Sequence, residues 1–490
     1  MIFNSVTFIA FLLVVVPLFW QGNANWRQWL IFLASLTFYG FWKVEFLPLL
    51  LFSALVDFNV SRHMAAASVY AKKWLLAVSL VCNLGLLLFF KYLYFLHENL
   101  TVAVNVLGLT IPPLDMEIIL PLGISFYTFQ TLSYTIDVYR GHLKAEDKFL
   151  PYACFVMFFP QLIAGPVLRA SEVLPQLKAG KSFSSHDFAV GFRRIIFGLF
   201  LKVVIADNIA PFVDEGFSSD VTFLGALDVW TLAFLFGFQI YFDFSAYSNI
   251  ALGTARILGI QFPENFNFPY MASNPRDFWK RWHISLSSWI RDYLYLPLTG
   301  AKVLVSSESG LSASHGGLGS QVKQAKGRKP NQALFISWAI MGLWHGANWT
   351  FFIWGVYHAT VIYIHRKLSK FMFFKVPVFL SLLVTLGVMM MSWIPFRAES
   401  VQHTIDLWSL VINPTKYFSQ LGLRENSYIV ALFLTIGFFC ANRIKNFLFY
   451  DKSYSNSNFQ NLCEICFFTI LILLILIFLR PVSQFIYFQF

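Results

Sequence analysis

Residues 331–365, NQALFISWAIMGLWHGANWTFFIWGVYHATVIYIH, contain no Asp, Glu, Lys or Arg. As one helix this run would be roughly 50 Å long at about 1.5 Å per residue, far beyond a hydrocarbon core of about 30 Å. It therefore has to turn, and Gly346-Ala347-Asn348 is where its residues allow a turn. The result is two membrane helices with His345 at their junction, beside freed backbone groups that only a protein interior or a wet cavity can satisfy. An ionisable side chain in that position marks function by default. The plain alternative is an interfacial His that caps a hairpin.

The rest of the chain is of the same kind. With 57% hydrophobic and 12% charged residues among 490, there is too little polar surface to cover a soluble globule. The expected fold is an all-α polytopic membrane protein, one domain over 1–490, with Trp and Tyr in interfacial belts. The net charge of +11 does not signal nucleic acid, because the basic residues cluster in short links between apolar runs. Cys82, Cys154, Cys440, Cys463 and Cys466 lie within or beside apolar runs and do not read as a disulfide framework. Cys463-x-x-Cys466 lacks the second ligand pair that zinc needs, so no metal is expected. Residues 6–20 have the apolar core of a signal peptide but neither its basic start nor its cleavage site, and read as a retained first span.

Charge places the links. Arg62, Lys72 and Lys73 put one link in the cytoplasm, whereas His97–Glu117 carries three acids and no Lys or Arg and belongs outside. Counting back puts the N-terminus outside. The segment 149–168 has Lys144 and Lys148 before it and Arg169, Lys178 and Lys181 after it, with Pro160 and Gly165-Pro166 inside it. That pattern predicts a re-entrant element that dips in and returns to the cytoplasm. Residues 207–228 carry five acids and are expected outside. The polar stretch 299–330, with a basic end at Lys323, Lys326, Arg328 and Lys329, is expected to be a mobile cytoplasmic loop. The apolar runs add up to eleven to thirteen transmembrane helices plus re-entrant or half-membrane helices, whose irregular backbone must be covered by protein or water and is therefore expected around a central funnel.

Asn274-Pro275 is a helix start, and on that helix Trp279, His283, Leu286 and Ile290 would share one face while Asp277 and Arg281 pair on another. His283 is then expected to face inward. Two inward His admit metal ligation, a proton relay or general-base catalysis. Ligand spacing is missing for the first, and Asp243 is the one strong membrane carboxylate for the second. Neither a nucleophile elbow nor a phosphate loop is present. General-base acyl transfer survives best, with Trp344, Asn348 and Trp349 beside His345, and Asp243, as candidate substrate-binding residues.

Five blocks in order, PLGISFYTFQTLSYTIDVYRG (121–141), FFPQLIAGPVLR (158–169), YFDFSAYSNIALGTARILGIQFPENFN (241–267), DFWKRWHISLSSWIRDYLYLPL (277–298) and GLWHGANWTFFIWG (342–355), resemble the membrane-bound O-acyltransferase (MBOAT) family. The likeness is greatest to its bacterial branch of alginate O-acetylase and peptidoglycan O-acetyltransferase membrane subunits and spans a motif core of 117–366. It implies a catalytic His at His345 and a second characteristic His at His283. It further implies acetyl-CoA as acyl donor and co-substrate, a membrane-lipid setting in the bacterial cytoplasmic (inner) membrane, and polysaccharide hydroxyls of alginate, peptidoglycan or cellulose type as acceptors. An extracytoplasmic SGNH-type acetyltransferase is the implied partner. PLTGAK stands where relatives often show PLGGNR, a departure that touches neither His. Two alternatives are a non-catalytic transporter or polysaccharide-export component, and D-alanyl transfer to teichoic acid. A protein-modifying acyltransferase fits the blocks less well.

Overall fold

The computed structural model describes residues 1–304, 321–323, 329–371, 376–449, 458–480 and 485–486. The protein is an all-α polytopic membrane protein. Among the described residues five helices are long and apolar enough to cross a membrane: Val44–Met64, Val69–Asn105, Ser185–Phe217, Ala226–Ile257 and Val378–Arg397. Val6–Gln21, Glu425–Ala441 and Leu462–Phe478 are shorter apolar helices. Side chains open several of them, Ser5, Ser68 and Ser184 each accepting the N–H three residues on. Two three-residue strands, Lys302–Leu304 and Gln321–Lys323, pair antiparallel at the two ends of the polar loop. Most of that loop, with the basic residues Lys326 and Arg328, lies outside the described residues.

Ala226–Ile257 is the axis of the molecule. Helices on the surface of the bundle keep one face for lipid, but 83% of this helix's most apolar window is covered by protein. It lies against Ser185–Phe200 along a seam of small residues. A Cβ on Gly191 would fall 2.6 Å from the Gly253 carbonyl oxygen, and one on Gly253 would fall 2.5 Å from that of Gly191. Only a hydrogen fits on either side of that crossing, which is how membrane helices gain contact without a hydrophobic driving force.

The segment 149–168 does not form one continuous helix. Phe149–Met157 is a nine-residue helix, about 13 Å long, too short to cross a bilayer. The chain then turns at Phe158 and Pro160 among fully buried side chains. Buried backbone there needs partners, and Gln130 and Gln161 both donate to the Phe155 carbonyl (2.6 and 2.7 Å), while Ser35 Oγ accepts from Phe159 N at 3.1 Å. Glu146, before the segment, is ion-paired with Lys178, after it, at 2.7 Å. The chain therefore leaves and re-enters on one face, and Arg140 and Arg169 meet at Asp292 on that face.

The helix expected through His283 breaks in two. Pro275–Trp279 opens on the Asn274 cap, and Arg281 pairs with Asp277 at 3.0 Å. His283, however, has a left-handed backbone, φ 41° and ψ 57°, and the next helix is Ile284–Trp289. Tertiary hydrogen bonds override the helical periodicity here: Asn267 N donates to the Arg281 carbonyl and Ile284 N to that of Asn265, both at 2.9 Å. His283 still faces inward, at 1% exposure.

Candidate active site

His345 is the last residue of the helix Pro330–His345. Gly346 follows in extended conformation, and a second helix, Trp349–Phe371, leads away. The hairpin closes tightly because Gly342 and Gly355 face each other: a Cβ on Gly342 would fall 2.2 Å from the Phe351 carbonyl oxygen and 3.2 Å from the Gly355 Cα. A Cβ on Gly346 would run into the Phe351 ring at 2.1 Å, so this position is packed. The His345 ring is held by Trp354, Phe396 and Trp344, with centroids 4.9, 5.3 and 4.9 Å away.

One wall of His345 is open. A cavity of about 300 Å³ is lined by His345, Trp344, Lys91, Phe126, Ile163 and the Leu120–Ile124 stretch, with Phe41 and Trp42 at the end of Ala24–Gly40. The other end of that helix carries Arg27, which donates to the Lys181 carbonyl at 2.5 Å. The cavity thus lies toward the molecular face opposite Lys181. Phe126 packs on Trp344 (5.6 Å) and reaches His283 (6.4 Å), placing the second His just behind the cavity wall.

His283 is oriented by a buried polar cluster. Asn265 donates from Nδ2 to Ser248 Oγ (3.2 Å), so its Oδ1 faces His283 Nδ1 at 3.1 Å and also accepts from Ser285 Oγ at 2.8 Å. An amide oxygen only accepts, which assigns the imidazole proton to Nδ1 and leaves Nε2 as the basic nitrogen. Ser285 Oγ accepts from Val167 N at 3.0 Å, tying this cluster to the re-entrant segment.

The other candidates are placed differently. Trp344 lines the cavity. Asn348 is exposed, and its Oδ1 caps the second helix by accepting from Thr350 N at 3.0 Å. Trp349 is 47% exposed and donates to Asn99 Oδ1 at 2.9 Å. Both residues build the turn rather than the cavity. Asp243 is engaged by Lys202 Nζ at 2.6 Å and by the Ile486 N–H at 2.6 Å, and does not line the cavity. Among the described residues no group of three or more His, Cys, Asp or Glu is placed to hold a metal ion.

The chain is 35% identical over 459 residues to a probable alginate O-acetylase AlgI of Pseudomonas aeruginosa, spanning 91% of this chain and 82% of the relative. The chain belongs to the membrane-bound O-acyltransferase family. The MBOAT family model matches residues 147–312, which include His283, and the longer pairwise match extends the likeness across most of the chain. A peptidoglycan O-acetyltransferase of Helicobacter pylori is 36% identical over 413 residues, 78% of this chain and 72% of its own. A teichoic acid D-alanyltransferase of Bacillus subtilis is more distant, 28% identical over 265 residues, 51% of this chain and 60% of its own.

As an MBOAT protein the chain is an O-acyltransferase, and its geometry adds groups that the periodicity of the sequence did not reveal. Lys91 sits inside the apolar run 73–96, five residues before its end, and a cation within such a run is itself a signal. Its Nζ donates to the carbonyls of Trp344 (2.7 Å) and His345 (2.9 Å), and Tyr92 donates to Leu343 O at 2.9 Å. Asp57 is another fully buried carboxylate, at 0% exposure. It is bound by Ser79 and by Asn83 Nδ2 (2.8 Å) in a cluster that joins three helices.

Proposed function

We propose that this protein moves acetyl groups from cytoplasmic acetyl-CoA to hydroxyls of an envelope polysaccharide or exopolysaccharide, directly or through an extracytoplasmic SGNH-type acetyltransferase, in the bacterial inner membrane. The observation that carries the reading is His345 in the wall of a cavity of about 300 Å³, in a chain whose relatives are named as O-acetyltransferases. The stretch 97–117, with three acids and no Lys or Arg, leads directly into the cavity wall at Leu120–Gly123, which supports reading this as the acceptor side. The opposite face carries Arg140, Arg169 and Arg291 around Asp292, a cationic rim suited to the phosphates of an acyl-CoA.

In this mechanism His345 takes the proton of the acceptor hydroxyl as its oxygen attacks the thioester carbonyl. The tetrahedral oxyanion collapses, the C–S bond breaks, and the proton passes from the imidazole to the departing thiolate. General-base assistance of this kind is worth about 10²- to 10⁴-fold. His283, with Nε2 as its basic nitrogen, serves the donor side behind Phe126. The test uses inverted membrane vesicles, [¹⁴C]acetyl-CoA and base-labile label in the polymer fraction. His345→Ala should lose at least about 100-fold in rate at normal protein level. Wild-type labelling would remove His345 from the chemistry and favour the export-component reading. His283→Ala should give a partial loss with a raised donor KM, and an unchanged KM and rate would make it structural.

A further inference from the structure

The end of the helix that carries His345 poses a physical problem. The last turn of any helix leaves carbonyls with no N–H from its own chain to accept, and here the chain goes straight into the extended Gly346. Three consecutive carbonyls, those of Leu343, Trp344 and His345, are instead satisfied by two adjacent residues of another helix, Tyr92 and Lys91. That helix has a π turn at Leu88–Tyr92. The wider turn lets neighbouring side chains reach one target, and such bulges concentrate at functional sites. Farther along the same helix, Phe95 packs on Trp349 (5.5 Å) and Asn99 accepts from its indole N–H. Helix Val69–Asn105 thus braces the break from both sides.

Two features separate Lys91 from an ordinary cap. Tyr92 shows that a neutral hydroxyl does the same work next door, whereas a cation inside a membrane protein is costly and tends to be kept for function. Lys91 also lines the same cavity as His345, and the hydrogen bonds of its Nζ go to carbonyl oxygens rather than to a carboxylate. Its Nζ donates at the negative end of the helix dipole, to the carbonyls of Trp344 and His345. We propose that Lys91 is the positioning residue of the acyl-transfer centre: it anchors the main chain of His345 and thereby sets the imidazole against the cavity. The proposal rests on His345 as the reacting base.

The test is a double-variant cycle in the vesicle assay, using [¹⁴C]acetyl-CoA and the acceptor polymer of the expressing cell. Lys91→Met should lower kcat 10- to 100-fold with the donor KM within about twofold and the unfolding temperature in detergent within a few degrees. Lys91→Arg, which keeps the charge and the donors, should recover most of the rate. Adding Lys91→Met to His345→Ala should cost about nothing further, because the lysine acts through the histidine. A kcat within twofold of wild type in Lys91→Met overturns the proposal, and so does a full Lys91 effect persisting in the His345→Ala background. If His345→Ala alone stays active, the base assignment has failed instead, and the two results are told apart by that single variant.

Discussion

Among the described residues, Lys91 and Lys202 both sit on π turns within apolar helices, and they are treated in opposite ways. Lys202, in Leu201–Ala206, is 2% exposed and held by Asp243 at 2.6 Å and Asp207 at 2.9 Å, with its ammonium over the Phe485 ring. Lys91 meets carbonyl dipoles and opens on a cavity. Desolvating a cation is repaid by carboxylates at short range in the first case and by a helix end in the second. The comparison sets a neutralised, sealed ion pair that fastens helices together against an amine that opens on the cavity beside His345.

Variants sharpen that contrast. Lys202→Met should be the most damaging to stability, by about 3–5 kcal/mol, because Asp243 stays buried without its cation; thermal unfolding in detergent measures it. Activity per folded molecule should stay near wild type, the reverse of Lys91→Met, and a Lys202→Met protein that melts normally would break the comparison. Replacing both partners, Lys202→Met with Asp243→Leu, should recover part of the loss, since no lone charge then remains. Gly342→Leu comes next, at about 1–3 kcal/mol, because its side chain would enter the Phe351 carbonyl and pry the His345 hairpin open. Here stability and turnover should fall together. The smallest effect is expected from Asn348→Ala, about 1 kcal/mol for a lost helix cap, with kcat within about threefold. A large fall in kcat without a fall in stability would return Asn348 to the reacting centre.

The turn residues were legible because they obey local rules. A charge-free run too long for one crossing has to break, and Gly346 follows His345 at that break. Pro160 announced the break in the segment 149–168, whose flanks meet in the Glu146–Lys178 pair. His283 was legible as an inward residue but not as a left-handed one, since its backbone is set by hydrogen bonds to Asn265 and Asn267 rather than by its own helix. Asp243 stood out in the sequence as a candidate relay, and only the fold reveals that Lys202 and the Ile486 N–H already engage it.

The sequence by itself determined the membrane class, the helical architecture, the hairpin at His345 and the inward direction of both histidines. These follow from hydropathy, helix length, proline and glycine, all of which act along the chain. The tertiary structure alone decided which polar groups meet. Lys91 and His345 are 254 residues apart, and Ser285 and Val167 are 118 apart. Apolar helices carry no register signal for one another, so their rotation, their π turns and the depth of each glycine crossing settle those pairings. The cavity and its lysine therefore come into view only once the helices are packed.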